Sequence, residues 1–223
     1  YQVVRKRYRP VNNKIPIGII MNDAAPKKPR GRPQTLDADR VAALAMQAYW
    51  HEGPTEVSIN ALSARAGVSK PSLYRAFGGE DGLTRAALTA YSEQVLAEVL
   101  AILDAPAGFD AALEGLVHYA SESPLSDPGC LFVKMRAARD RFGPQTRDLI
   151  DALGEGAIAA YAGFLDAARA RGEWAGRVPT DLAARYLAAQ IEAALARRAA
   201  GVPPDEVRAV LSLALSVLTA PDP

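Results

Sequence analysis

Apolar residues recur at helical spacing along most of the chain, and its elements can be read off in order. Val41, Ala45 and Tyr49 run at i, i+4 and i+8 and end at Gly53, which predicts a first helix. Ile59, Leu62 and Ala66 fall on one face of a short helix that starts after Ser58, a good N-cap. Gly67 then permits the left-handed conformation of a tight turn. The chain restarts at Ser69, a second N-cap, with Pro71 in the first turn and Leu73 and Phe77 as an i, i+4 apolar pair. Leu83, Ala87, Tyr91, Val95 and Val99 keep a four-residue step to about Leu103, a rod long enough to join two domains, and Ala105-Pro106-Ala107-Gly108 ends it. A short amphipathic helix over 109–121 follows, then a proline- and glycine-containing loop over 123–129 and a helix opening at Cys130. The longest helix spans Pro144 to about Arg171, and two more cover about 180–200 and 204–218. No strand-like alternation and no repeat of solenoid length interrupts this pattern, so the fold class is all-α.

The helix after Gly67 is built to be exposed. Leu73 and Phe77 anchor it, which leaves Lys70, Ser72, Tyr74 and Arg75 on its other faces. Lys and Arg reach guanine edges or phosphates, and Ser and Tyr hydroxyls add phosphate bonds, so this surface suits the DNA major groove. The candidate DNA-contacting set here is Ser58, Ser69, Lys70, Pro71, Ser72, Tyr74 and Arg75. The competing explanation is an ordinary alanine-rich helical hairpin with a few surface charges.

From Arg40 to Leu88 the chain resembles the TetR family of bacterial transcriptional regulators. The likeness rests on the first helix with its closing Gly53, the helix-turn-helix over 57–77, and LYRAFGGEDGL at Leu73 to Leu83, with its leucine-tyrosine pair and a fourth helix starting near Glu80. The chain departs from the family at one place. Where the family usually carries a lysine that meets a phosphate, this chain has Glu80 followed by Asp81; two acids suit a helix N-terminus but repel a phosphate. GCLF at Gly129 to Phe132, Gly172-Glu173 and Ala199-Ala200-Gly201 are similar, less specifically, to the regulatory domain of one branch of the family. The resemblance implies an N-terminal helix-turn-helix DNA-binding domain over 34–94, which includes the start of the connecting helix. It also implies a C-terminal effector-binding and dimerisation domain over 95–223.

The net charge of +1 hides an asymmetry. Residues 1–33 hold nine Lys or Arg against the single acid Asp23, a charge of +8 that leaves −7 for the remainder. This stretch reads as a disordered basic arm, and KKPRGRP puts Lys27, Lys28, Arg30 and Arg32 where they can follow a phosphate backbone or enter a minor groove. A solvated tail is the alternative. Residues 1–20 have neither helical period nor turn logic and read as an upstream extension ahead of Met21; a signal peptide is a weaker match, since Pro16 breaks its apolar stretch. No uninterrupted apolar run reaches the eighteen or so residues of a membrane span. A single cysteine forbids an internal disulfide, and the default location is the cytoplasm.

The last two helices are apolar over wide faces. Leu182, Ala183, Tyr186, Leu187, Ala189, Ile191 and Leu195 cover much of one, and Val207, Val210, Leu211, Leu213, Leu215, Val217 and Leu218 nearly encircle the other. That predicts a homodimer joined by a four-helix interface through about 180–200 and 204–218, against a monomeric helix pair as the alternative.

Enzyme signatures are poor. With only His51, His118 and Cys130, and no HExxH, CxxC, GxSxG or phosphate-loop pattern, no catalytic residue, metal site or cofactor is expected. His51 reads as a solvated helix-end residue, and His118 as a structural histidine or a cavity wall. Cys130 opens a helix, where the dipole lowers a thiol pKa, but an inert packed cysteine is the expected reading. Tyr119, Phe132, Met135, Tyr161 and Phe164 are candidates for a ligand pocket by position on inward faces. Together these readings point to a repressor released from double-stranded operator DNA by an unidentified small-molecule effector, with no membrane partner. The alternatives are a helical interaction module or a small helical enzyme without DNA affinity.

Overall fold

The computed structural model describes residues 36–105, 107–124, 129–176 and 178–219, and all secondary structure among the described residues is helical. The basic arm, with Lys27, Lys28, Arg30 and Arg32, lies outside them. The order is α1 (Ala38–Glu52), α2 (Ile59–Ala66), α3 (Lys70–Phe77), α4 (Glu80–Leu103), α5 (Phe109–Glu122), α6 (Leu131–Ala137), α7 (Pro144–Ala170), α8 (Thr180–Ala199) and α9 (Pro204–Thr219).

Each of the first three helices is delimited by its own sequence. The Asp37 carboxylate accepts from the Arg40 backbone N–H at the start of α1, Ser58 does the same for α2 and Ser69 for α3. Gly67 (φ 67°) and Gly78 (φ 75°) end α2 and α3 in the left-handed conformation that a Cβ disfavours. α1 and α3 pack onto the N-terminal half of α4, where Leu83, Ala87, Leu88 and Tyr91 are buried, and α2 packs against α1 and α3; Val41, Ala45, Leu62 and Leu73 are buried among them. The Arg40 guanidinium donates to the Ala66 carbonyl (3.0 Å), tying α1 to the end of α2.

From there α4 continues into a bundle in which it packs on α7, α7 on α8, and α9 on α5 and α8, with the short α6 wedged between α4, α7 and α8. At 24 residues, with an 18-residue stretch of mean hydropathy 1.3, α4 is the one helix among the described residues long and apolar enough to cross a membrane. The sequence reading missed this because Arg85, Glu93 and Glu98 interrupt any continuous run. Its apolar stripe is divided instead: Leu83, Leu88 and Tyr91 are core, while Leu96 and Leu100 are exposed.

The wide apolar faces of α8 and α9 also divide. Leu187, Ile191 and Leu195 of α8, with Val207, Leu211 and Leu215 of α9, are buried within the protomer, so they do not face a partner as the sequence reading assumed. A 3.6-residue period shows that both faces of a helix are apolar but not which one its own chain covers. What remains outside is Leu182, Val210, Leu213 and Val217, with Leu213 76% exposed.

Candidate functional site

The surface of α3 is the first candidate. Leu73 is fully buried and Phe77 is half-buried, so these two side chains fix the helix while Lys70, Pro71, Tyr74 and Arg75 are exposed. Lys70 Nζ sits 5.5 Å from the centroid of the Tyr74 ring, a cation–π contact that keeps both on one outward face. Ser72 is occupied differently: its hydroxyl lies 2.9 Å from the Ser69 hydroxyl and accepts from the Arg75 guanidinium (3.3 Å). Ser58 and Ser69 hold helix ends, accepting from Ala61 N–H (3.2 Å) and Ser72 N–H (3.3 Å) respectively. These two serines therefore order the motif, and the cationic and aromatic side chains of α3 form its exposed face.

Of Glu80 and Asp81, the departure from the family pattern, the second is engaged within the fold. The Asp81 carboxylate caps α7: Oδ2 accepts from Gln145 N–H (2.9 Å), and Oδ1 from Thr146 N–H (3.1 Å) and the Thr146 hydroxyl (2.6 Å). A Cβ at residue 143 would stand 2.4 Å from the Asp81 Cγ, so glycine there is what lets the carboxylate approach. The second acid thus suits a helix N-terminus, as its charge predicts, but that of α7. A second tie joins the end of α1 to α6. Trp50 Nε1 donates to the Gly129 carbonyl (2.6 Å), and Lys134 Nζ donates to the Trp50 carbonyl (2.9 Å).

The other candidate is a cavity of about 260 Å³ between α4, α6, α7 and α8. Of the five pocket residues expected from sequence, Tyr119, Phe132 and Tyr161 line it. Met135 and Phe164 do not. Met135 is packed into the core, and Phe164 stacks on Phe109 (centroids 5.3 Å) beside a different cavity of about 500 Å³. Inward position alone could not separate a cavity wall from solid core. The sequence reading missed Tyr91, Cys130 and Glu192 as wall residues.

Cys130 is buried, as the packed reading expects, and desolvation pushes its thiol up against hydrogen bonds from Tyr91 and the Val133 and Phe132 backbone, which lower it. Tyr91, Tyr119 and Tyr161 are likewise pushed up by burial. Glu192 is half-buried, raised by desolvation, and its Oε1 accepts from Arg136 (2.5 Å). His118 lines no cavity: it is exposed on α5 in an ion-pair cluster with Glu122 and Arg208. His51 is exposed at the end of α1, as expected. Among the described residues no group of three His, Cys, Asp or Glu is placed to hold a metal.

A capped helix-turn-helix with an exposed basic and aromatic second helix, mounted on a helical bundle that holds an apolar cavity, defines a helix-turn-helix regulator. The model for bacterial regulatory proteins of the tetR family matches residues 42–87, which take in α2, α3 and most of α1. It is 36% identical over 72 residues to the HTH-type transcriptional repressor ComR of Escherichia coli (strain K12), a match covering 32% of this chain and 34% of ComR. The chain thus spans about a third of the length of that relative. Its fold is similar to the TetR family transcriptional regulator CifR, in a cysteine-substituted form complexed with 26-bp double-strand operator DNA: TM-score 0.70, 25% identity, 84% of this chain and 100% of that one. E. coli NemR in its reduced form shares the fold, with TM-score 0.71 at 19% identity, over 84% and 100% of the two chains.

Proposed function

We propose that this chain is a homodimeric repressor that binds operator DNA through α3 and releases it when a small molecule occupies the cavity beside α6. The observation that carries the reading is the exposed α3 face of Lys70, Tyr74 and Arg75, held rigid by Leu73 in a fold that CifR uses on operator DNA. Residues 34–94 act as the DNA-binding part and 95–223 as the effector-binding and dimerisation part. The outward residues Leu182, Val210, Leu213 and Val217 form the dimer face, which sets two α3 helices on half-sites about one helical turn apart. A ligand acts by favouring one of two conformers. The cavity wall reaches the DNA-binding part at two points: Cys130 adjoins Gly129, which holds Trp50 of α1, and α4 carries both wall residues and Asp81. No catalytic role is assigned, and the protein acts in the cytoplasm, where its DNA lies.

The test is a duplex-DNA shift assay across salt concentrations. The full chain should bind with a log–log salt slope that flattens by roughly 0.9 per phosphate contact removed. Deleting residues 1–20 should leave folding untouched. Deletion through Pro33, which removes Lys27, Lys28, Arg30 and Arg32, should flatten the slope by up to about 3 to 4. An unchanged slope would remove the arm from the interface, and salt-independent binding by the full chain would contradict the reading itself.

A further inference from the structure

The polar groups of the cavity are unusually one-sided. Three phenols, Tyr91, Tyr119 and Tyr161, and the Cys130 thiol project among aliphatic walls such as Val95, Val99 and Leu153. Burial holds all four in the neutral, protonated form. Tyr91 and Cys130 are hydrogen-bonded to each other. The Tyr119 hydroxyl has no hydrogen-bond partner among the described residues, although the side chain is only 2% exposed. A buried hydroxyl in that condition carries an uncompensated desolvation cost, which a bound molecule with an acceptor atom removes.

The charge around it narrows the class further. Glu192 is the charged residue in the wall, and its carboxylate is already held by Arg136. An anion would face that carboxylate with no Lys or Arg among the described wall residues, and a cation would have to displace Arg136. At about 260 Å³ the space is below the ~300–1,000 Å³ of pockets for drug-sized ligands and suits one or two rings.

We infer that the cavity takes a small, neutral, apolar molecule bearing a carbonyl-type acceptor, and that Tyr119 is the residue that reads it. The inference rests on the effector reading of this cavity but concerns the chemistry of the ligand. Four probes of one shape separate the classes: acetophenone, its isostere α-methylstyrene, benzoate and 1-phenylethylammonium. Binding to the full chain is measured by calorimetry, and operator release is measured separately by shift assay.

Acetophenone should bind about tenfold more tightly than α-methylstyrene, as one hydrogen bond to an otherwise unsatisfied donor implies. Tyr119→Phe, which keeps the ring and so the cavity shape, should bring that ratio close to one, with circular dichroism unchanged. Gly156→Leu, at a wall position where an added Cβ meets nothing within 4 Å, should obstruct the cavity and weaken both probes together. Equal binding of acetophenone and α-methylstyrene, tighter binding of either ion, no binding of any probe, or a ratio that survives Tyr119→Phe would overturn the inference. Acetophenone binding with the expected ratio but without operator release would contradict the effector reading alone.

Discussion

Leu187→Glu is expected to destroy the folded protomer, whereas Leu213→Glu, a little over one helix away, should leave the protomer folded and take the dimer apart. Leu187 is fully buried where α8 packs against α7 and α9. A carboxylate there loses its hydration without gaining a partner, and the leucine's own burial, about 2 kcal/mol, is lost as well. A loss of about 5 kcal/mol is comparable to the whole stability of many domains, and at this chain length it lowers the melting temperature by about 10–20 °C. Leu213 has nothing of the kind to lose, being 76% exposed, so its substitution should change protomer stability by no more than about 0.5 kcal/mol. Across the proposed dimer face the same carboxylate would be placed in an apolar patch. Thermal melts read the first effect and light scattering the second. A Leu213→Glu protein that stays dimeric with unaltered operator affinity would remove the outward face of α9 from the interface.

Asp81→Ala should cost about 2–4 kcal/mol, a large effect for a residue at the edge of a helix. It removes the N-terminal cap of α7, worth about 0.5–2 kcal/mol, and leaves the Thr146 N–H without its acceptor at a site where Thr146 is fully buried. Asp81→Asn retains one acceptor oxygen and should recover part of the loss. Since this carboxylate joins the base of the DNA-binding part to the bundle, the Ala variant should also weaken the effect of ligand on operator affinity while leaving cavity binding intact. Chemical denaturation gives the first quantity and ligand-dependent shift assays the second. Undiminished stability would show that the α7 cap is supplied elsewhere.

The helices and their order are legible in the sequence, most sharply where a helix carries its own punctuation. Ser58, Ser69, Gly67 and Gly78 delimit α2 and α3 without help from the rest of the chain. Leu73 can be read as the anchor of α3, and Lys70, Tyr74 and Arg75 as its exposed side chains, from spacing alone. What could not be read is anything set by two elements meeting. Asp81 reads as an acid at the start of α4 until α7 is seen to begin against it. Likewise Leu187 and Leu213 are equivalent in hydropathy and differ only in which side of the α8–α9 layer they occupy. Met135 and Tyr161 both point inward, and only the packing of α6 against α7 and α8 decides that one is core and the other faces a cavity. Ser72 was read as free, but its hydroxyl is engaged by Ser69 and Arg75, which leaves Lys70 as the better probe of base recognition.

Recognition of DNA by α3 is therefore tested most directly on an operator selected from a random duplex pool with the full chain, followed by affinities of variants on that operator and on each of its single-base changes. Lys70→Ala should relax discrimination by about 1–3 kcal/mol at one base position in each half-site. Tyr74→Phe keeps the ring beneath Lys70 and removes only the hydroxyl, so it should weaken all sequences alike, as loss of a phosphate contact does. If the pool yields no twofold-related sequence and both variants bind DNA as the unaltered chain does, α3 is not the reading element and the account is wrong.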